Sequence, residues 1–283
     1  MSATAAARPV SQARARRRVR IGPWILPVFT GLAVAYLFIP IAVMILFGFN
    51  DPQGRFNFTW QGFTLRNYAE LFAVPGLADA LTTSLIVAVI STIVATVLGT
   101  LIALALTRHT FAGRGPLNVL IFLPLATPEV VLGASLLALF VSMGVARDIT
   151  TIVIAHIMFN ISYVVITVRA RIAGFDMRLE EAAQDLGADE WTTFRKVTFP
   201  LIFPGILAAA MLAFALSIDD FVITLFVSGR TSTFPLWVYG ASRIGIPPQV
   251  NVMGTLIFVV AVVGIVGWVL LQSRGMRAAA TNR

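Results

Sequence analysis

The sequence predicts an all-α polytopic membrane protein with six transmembrane helices and with both termini in the cytoplasm. Of its 283 residues, 58% are hydrophobic and only 12% are charged, whereas a soluble globular domain carries about 25% charged residues. Six apolar runs reach the length of about 20 residues that a membrane-spanning helix needs. Sixteen of the 21 Lys and Arg residues fall in segments on one predicted side, and this side is expected to be cytoplasmic.

The six predicted spans cover residues 24–49, 81–106, 116–141, 149–168, 201–227 and 250–271. The third run contains Pro124 and Pro128, which predict a kinked helix. The fifth run contains Asp219 and Asp220, which allow a hairpin or a break within it. Short interfacial helices are expected near residues 65–72 and 235–243 on the outer side.

The N-terminal segment combines an arginine cluster with the first apolar run, which could indicate a signal peptide. The apolar run continues to Phe49, however, and is longer than the 7–15 residues of a signal-peptide core. We therefore interpret it as an uncleaved first transmembrane helix. The preceding arginines are expected to anchor it at the anionic inner surface of the bilayer.

Several classes of site are not expected from the composition. The chain has no cysteine and only two histidines, without the spacing of a metal-binding helix, so no metal site is expected. Its net charge of +8 comes from basic residues between apolar runs rather than on one face, which argues against nucleic acid as a partner. The only lysine, Lys196, is followed by Val197, so no phosphate-binding Gly-Lys-Ser/Thr loop is present and no cofactor is expected.

A segment unusually rich in charged and polar residues, EEAAQDLGADEWTTFRKVTFPLIFPG, lies between the fourth apolar run and the start of the fifth. Asp176 can cap a helix that begins at Met177, with Glu180 and Glu181 in its early turns, where the helix dipole favours acids. Gly187 can end that helix in a left-handed conformation. The small side chains of the first helix would allow close approach of a partner.

The second half of this segment predicts another short helix, capped by Asp189. Pro200 and Pro204 follow at the entry to the fifth span, where proline is tolerated. The whole segment is therefore predicted to form a cytoplasmic helix-turn-helix that presents acids, small residues and aromatics to a partner outside this chain.

This segment resembles the EAA loop of the permease subunits of type I ABC importers. The resemblance rests on Glu181-Ala182-Ala183, Gly187 and Pro200, at the spacing of the family pattern. In that family the loop docks into a groove of a cytoplasmic ATPase subunit. The resemblance therefore implies ATPase-coupling residues Glu180, Glu181, Ala182, Ala183, Gly187 and Pro200, with ATP bound by the partner and no catalytic residue in this chain.

Ionisable residues within the predicted spans are costly, at roughly 2.5–3.5 kcal/mol each at a helix centre. We therefore expect Asp219, Asp220 and Glu129 to serve the translocation pathway or a structural pairing. Ser217 or Asp219 could instead cap a new helical segment after a break. Thr224 lies four residues after Asp220 and shares its helical face, which favours Asp220 and Thr224 as pathway residues.

Two polar residues of the fourth run, His156 and Asn160, lie four positions apart on one helical face. We expect them to form hydrogen bonds between helices, and Glu129 could contact either of them. Three acids without a basic residue inside the spans suggest a pathway that tolerates cations.

The segment SIDDFVIT, residues 217–224, resembles the polyamine (spermidine/putrescine) branch of these permeases, as do FND and NYAELF in the first outer loop. The resemblance implies that this chain is the second permease subunit of an importer in the bacterial inner membrane. Its partners would be a homologous permease subunit, a dimer of ATPase subunits, an extracytoplasmic solute-binding protein and the lipid bilayer. Related permeases for phosphonate, ferric iron or thiamine remain alternatives, and a secondary carrier is the alternative from another class.

The domain organisation follows from these observations. Residues 1–23 are predicted to be a basic cytoplasmic tail and residues 24–272 the transmembrane permease domain, with the coupling loop at 176–200. Residues 273–283 are predicted to be a second cytoplasmic tail.

Overall fold

A computed structural model describes residues 24–54, 56–174, 176 and 178–281, with the backbone alone at residue 265 and at residues 268–281. The predicted N-terminal tail, together with Met177, lies outside the described residues. The described chain is almost entirely helical, and its only β-type pairing is an isolated antiparallel bridge between Asn50 and Phe63.

The helices of the described residues are α1 (Ile25–Gly48), α2 (Arg66–Ala69), α3 (Leu77–Arg108), α4 (Arg114–Ala126), α5 (Glu129–Ser142), α6 (Ile149–Ala173), α7 (Arg178–Asp185), α8 (Glu190–Thr193), α9 (Phe199–Asp219), α10 (Val222–Val227), α11 (Phe234–Ile244) and α12 (Pro248–Thr281). A π-helical segment, Phe194–Thr198, joins α8 to α9. The predicted short helices near residues 65–72 and 235–243 are present as α2 and α11.

Four helical segments of the described chain are long and apolar enough to cross a membrane: Ile25–Gly48, Leu77–Arg108, Ile149–Ala173 and Glu190–Asp219. A fifth span results if the bent pair α4 and α5 counts as one. The sixth predicted run lies within α12, whose described apolar stretch is Pro248–Gly264. The all-α membrane fold is confirmed, whereas the count of six spans and the side of each terminus stay predictions.

The third predicted run is broken rather than kinked. Its two halves, α4 and α5, meet at 109° across Thr127 and Pro128. Thr127 is extended, with φ −86° and ψ 129°, because a residue that precedes proline is disfavoured in the helical region. The prediction of a kink therefore identified the right position and underestimated the change of direction.

The fifth predicted run is also broken, which the sequence left open. Helix α9 ends at Asp219, and Asp220 adopts φ −61° and ψ 121° before α10 begins. The two aspartates thus lie at the junction of two helical segments and not inside a continuous helix.

The described residues form two compact units, one within residues 48–253 and the other from residues 24–47 and 254–281. The core of the first unit is built by α3, α6 and α9, which pack closely against one another. Close packing depends on glycine at Gly99, where an added Cβ would lie 2.6 Å from Val164 Cγ1. In the second unit, an added Cβ at Gly254 would lie 2.6 Å from Met44 Sδ.

The topology prediction can be tested with single cysteines, since the natural sequence contains none. Asn57 is an unsuitable outer probe because it is buried and its Oδ1 accepts a 2.6 Å hydrogen bond from Asn50 Nδ2. Phe58→Cys and Gln184→Cys place the probes at exposed positions instead. We expect a membrane-impermeant maleimide to label Phe58→Cys in intact cells and Gln184→Cys only after permeabilisation. Labelling of both positions from outside would contradict the predicted topology.

Candidate functional site

The first half of the predicted coupling segment has the expected start and end. Helix α7 begins at Arg178, whose backbone N–H donates to Asp176 Oδ1 at 3.1 Å. Gly187 has a φ of +89°, and the backbone N–H groups of Gly187 and Ala188 donate to the carbonyls of Gln184 and Ala183. These two bonds form a Schellman motif, which requires the left-handed residue that glycine supplies.

The second half differs from the predicted separate helix. Asp189 caps α8 by accepting from Thr192 N at 3.1 Å, as predicted, and its hydrogen bonds from the Thr192 side chain and backbone lower the pKa of its carboxyl group. Helix α8 then continues through the π-helical segment into α9 without interruption. The predicted second helix is therefore the inner end of the predicted fifth span.

The missing backbone N–H of proline explains why the joining segment is π-helical. Pro200 has no backbone N–H, so the regular helical bond to residue 196 cannot form. The helix accommodates the loss by widening over Phe194–Thr198, where Phe199 N–H donates to the carbonyl of Phe194, five residues earlier. The second half of the coupling segment is thus continuous with α9.

Most of the predicted coupling residues lie on the surface of this segment. Glu181, Ala182, Gly187 and Pro200 are exposed, and Ala183 is half-buried. Two large apolar side chains are exposed beside them, Leu186 at 90% and Trp191 at 66%. Apolar groups exposed together on an otherwise polar segment indicate a surface that a partner covers.

Glu180 has a different role from its neighbours. Its side chain is only 12% exposed and forms an ion pair with Arg108 at the end of α3. Glu180 also accepts a hydrogen bond from Thr198 Oγ1, and Arg108 Nη2 donates to the same hydroxyl at 3.2 Å. Glu180 therefore connects α7 to α3 and to the π-helical segment, and its predicted coupling role stays a prediction. No local signal in the sequence indicates that Arg108 and Thr198 contact Glu180, because they lie 72 and 18 positions away from it.

The contacts of Glu180 predict that its replacement destabilises the protein more than replacement of the neighbouring Glu181. Glu180→Ala removes a charged hydrogen-bond acceptor from Arg108 and Thr198 and should lower the free energy of unfolding by about 1–3 kcal/mol. Glu181→Ala, at an exposed neighbouring position, should change it by no more than about 0.5 kcal/mol. Unfolding of both variants in detergent measures the difference. Equal stability of the two variants would exclude a connecting role for Glu180.

The second candidate region surrounds the break between α9 and α10. Asp220 caps α10, because its carboxylate oxygens accept from Thr224 N at 2.8 Å and from Ile223 N at 3.4 Å. Its Oδ2 also accepts from Thr224 Oγ1 at 2.6 Å, and its side chain is 6% exposed. The expectation that Ser217 or Asp219 supplies the cap is therefore wrong: Asp220 is the capping residue.

His156 on α6 holds the two sides of this break together. Its Nδ1 lies 2.6 Å from Ser217 Oγ, and its Nε2 lies 2.9 Å from Thr224 Oγ1 and 3.4 Å from Asp220 Oδ2. Ser217 Oγ also lies 3.1 Å from Ser91 Oγ on α3. The predicted interhelical hydrogen bonding of His156 is confirmed, and it connects four helices.

The other polar residues of this region do not join the network. Asn160 is fully buried, and its amide makes no hydrogen bond within the described chain, so the prediction of interhelical bonding is wrong for Asn160. Glu129 begins α5 at an exposed position, without an ion pair or side-chain hydrogen bond to another described residue. It therefore contacts neither His156 nor Asn160.

Asp219 is the exposed member of the aspartate pair. It is the last residue of α9, and its carboxylate has no hydrogen-bond or ion-pair partner among the described residues. A negative charge is unfavourable at a helix C-terminus. Asp219 is thus the solvent-exposed member of the pair, while Asp220 and Thr224 hold the break, and the pathway role of each of these residues stays a prediction.

The first outer loop brings together the two motifs that the sequence singled out there. Asn67 Nδ2 donates to the carbonyls of Gly48 and Asn50 at 3.0 and 2.8 Å, and all three residues are buried. Asn50 Nδ2 in turn donates to Asn57 Oδ1 and to Thr59 O. These asparagines determine the shape of the loop. Beside them, a cavity of about 640 Å³ is lined by residues that include Arg66, Glu70, Trp237 and Gln249.

Comparison with protein families gives one domain match. Residues 95–278 match the family described as the binding-protein-dependent transport system inner membrane component. Among curated proteins, the chain is 38% identical over 233 residues to the spermidine/putrescine transport system permease protein PotC of Escherichia coli (strain K12), covering 82% of this chain and 88% of that protein. It is 35% identical over 258 residues to the putrescine transport system permease protein PotI of the same strain, covering 88% and 91%.

Comparison with solved structures supports the same fold. A chain of a bacterial ABC transporter involved in the import of the acidic polysaccharide alginate superimposes with a TM-score of 0.65 at 17% identity, covering 89% of this chain and 95% of that chain. A chain of an amino acid ABC transporter superimposes with a TM-score of 0.57 at 18% identity, covering 75% and 99%. At these identities the similarity concerns the fold alone.

Proposed function

Because this chain belongs to the family of binding-protein-dependent transport system inner membrane components, we propose that it is the permease subunit of an ATP-driven polyamine importer in the bacterial inner membrane. The observation that carries the choice of solute is its 38% identity, over 82% of the chain, to a spermidine/putrescine permease. The chain itself is not an enzyme, and its partner subunit binds ATP.

The coupling segment is the surface through which an ATPase subunit would drive transport. It presents Glu181, Ala182 and Ala183 together with the exposed Leu186 and Trp191. The π-helical segment makes it continuous with α9. Docking of an ATPase subunit on this surface would move α9 and the break at its other end as one body. The remaining partners are a second permease subunit, which completes the pathway, and a binding protein that delivers the solute from outside.

The break between α9 and α10 carries a negative charge that suits a cationic solute. A polyamine is a polycation, and its passage through a medium of low polarity requires compensating negative charge or polar solvation. Asp219 supplies an exposed carboxylate at the break, and the His156 network fixes the backbone that carries it. Glu129 is a second exposed acid that could serve the same pathway.

The alternatives make different predictions about solutes and energy. Permeases for phosphonate, ferric iron or thiamine would use the same scaffold with other binding proteins. A secondary carrier would not need the coupling surface. The identity to two permeases named for putrescine favours the polyamine assignment over each of these.

ATP hydrolysis by the assembled complex in nanodiscs tests the solute assignment. We expect the binding protein loaded with spermidine or putrescine to stimulate hydrolysis several-fold over the unloaded binding protein. Thiamine, ferric iron and a phosphonate should leave the basal rate unchanged. Stimulation by one of these three, without stimulation by a polyamine, would reassign the solute and leave the importer mechanism intact.

A further inference from the structure

A second cavity, of about 490 Å³, lies between α4 and α6 at their predicted cytoplasmic ends. Its lining includes Thr107, Arg114, Asn118, Phe122, Ile166 and Arg169. The coupling surface and the helix break contain none of these residues. The cavity combines two positive charges with an apolar wall, close to the end of α3 and the start of α4.

The two arginines have no acidic partner within the described part of the chain. Arg169 Nη1 donates to Asn118 Oδ1 at 2.7 Å, a neutral amide, and the Arg114 guanidinium makes no hydrogen bond to a described residue. Asn118 Nδ2 also donates to the carbonyl of Arg114 at 2.9 Å, which holds the first turn of α4 beside Arg169. Both arginines are half-buried, so their charges are only partly solvated and favour an anion between them.

The apolar wall of the cavity continues onto the outer face of α4. Phe122 lines the cavity and is 53% exposed, and Val119 and Leu123 beside it are 68% and 55% exposed. These residues are three or four positions apart or adjacent, and they form one apolar strip along the helix. A ligand that fits both features has an anionic head and a long apolar body.

We propose that this cavity binds the headgroup of an anionic phospholipid of the inner leaflet. Arg114 and Arg169 contact the phosphate, the second amide hydrogen of Asn118 Nδ2 can donate a further hydrogen bond, and an acyl chain lies along Val119, Phe122 and Leu123. Basic pockets between transmembrane helices on the cytoplasmic side are suited to anionic headgroups. The site would tie α4 to α6 through a lipid, and the inference does not depend on the transported solute.

The test is a titration of the delipidated intact complex with phosphatidylglycerol, read by native mass spectrometry. At about 1 kcal/mol per arginine, the Arg114→Gln/Arg169→Gln variant should bind phosphatidylglycerol about 30-fold more weakly. The Arg147→Gln/Arg230→Gln variant removes the same charge at two exposed positions of the predicted outer side. It should bind like the natural protein, and phosphatidylcholine should not occupy the site.

Inorganic phosphate distinguishes the two sources of the anion. An excess of inorganic phosphate should leave the bound phosphatidylglycerol in place, because phosphate alone lacks the contacts along α4. Displacement by phosphate would reassign the cavity to a free anion, and unchanged lipid binding in the Arg114→Gln/Arg169→Gln variant would remove the site altogether. Loss of the ATPase subunit from that variant would make the arginines a subunit contact and would likewise overturn the lipid site.

Discussion

Replacement of Gly187 by valine should abolish ATP-driven uptake while the chain still inserts into the membrane. At the φ of +89° that Gly187 adopts, a β-branched residue is strongly disfavoured, and the strain is on the order of 1–3 kcal/mol. The Schellman motif would therefore reopen and change the angle at which α7 leaves the helix of the fifth span. The surface formed by Glu181, Ala182 and Leu186 would no longer fit the ATPase subunit.

The backbone is the sole cause of this expected effect, because an added Cβ at Gly187 would meet nothing within 4 Å. Gly187→Asn is therefore the matched control, since asparagine tolerates the left-handed conformation better than other residues with a side chain. We expect Gly187→Asn to keep most of the uptake and Gly187→Val to lose both uptake and co-purification of the ATPase subunit. Equal activity of the two variants would mean that the turn does not position the docking surface.

The aspartate pair predicts two opposite phenotypes at adjacent positions. Asp220→Ala removes the cap of α10, leaves the Thr224 hydroxyl without its acceptor and removes the carboxylate that lies 3.4 Å from His156 Nε2. Loss of a cap and of buried hydrogen bonds should lower the stability of the complex by about 2–4 kcal/mol. Asp219→Ala removes an exposed carboxylate without a described partner, so the complex should assemble normally and transport polyamine poorly.

Melting temperature, yield of intact complex and uptake per complex separate these effects. We expect Asp220→Ala to reduce the first two and Asp219→Ala to reduce only the third. Asp219→Asn, which keeps the size of the side chain, should behave like Asp219→Ala if charge is what matters. A stable Asp220→Ala complex would contradict the capping role, and normal uptake by Asp219→Ala would remove Asp219 from the pathway.

Local signals in the sequence predicted the features that depend on neighbouring residues. The left-handed turn at Gly187 and the cap at Asp189 each require only a few consecutive residues, and the structure contains both. The first, second and fourth apolar runs are likewise continuous helices long enough to cross a membrane. The comparisons with known permeases confirm the fold class and the importer family. Proline before Glu129 indicated a bend, although the sequence did not give its size of 109°.

Contacts between distant residues determined what the sequence could not predict. Glu180 resembles its neighbour Glu181 in the sequence, yet it pairs with Arg108, 72 positions away. Asp219 and Asp220 are likewise equivalent locally. Their surroundings differ for two reasons. His156, 61 positions before Ser217, approaches Asp220, and α10 begins just after the pair. The sequence offered Ser217 or Asp219 as the cap of the new segment, whereas Asp220 caps it because α9 ends between the two aspartates.

In the mechanism proposed above, a separate ATPase docked on this chain drives polyamine import. The most direct test is uptake of radiolabelled spermidine into proteoliposomes that contain this chain, its partner permease and the ATPase subunit. Spermidine-loaded binding protein is supplied outside and ATP inside the vesicles. We predict uptake against a gradient that requires ATP, the ATPase subunit and the binding protein together. Uptake that continues without the ATPase subunit and follows an imposed ion gradient would contradict the account and identify a secondary carrier.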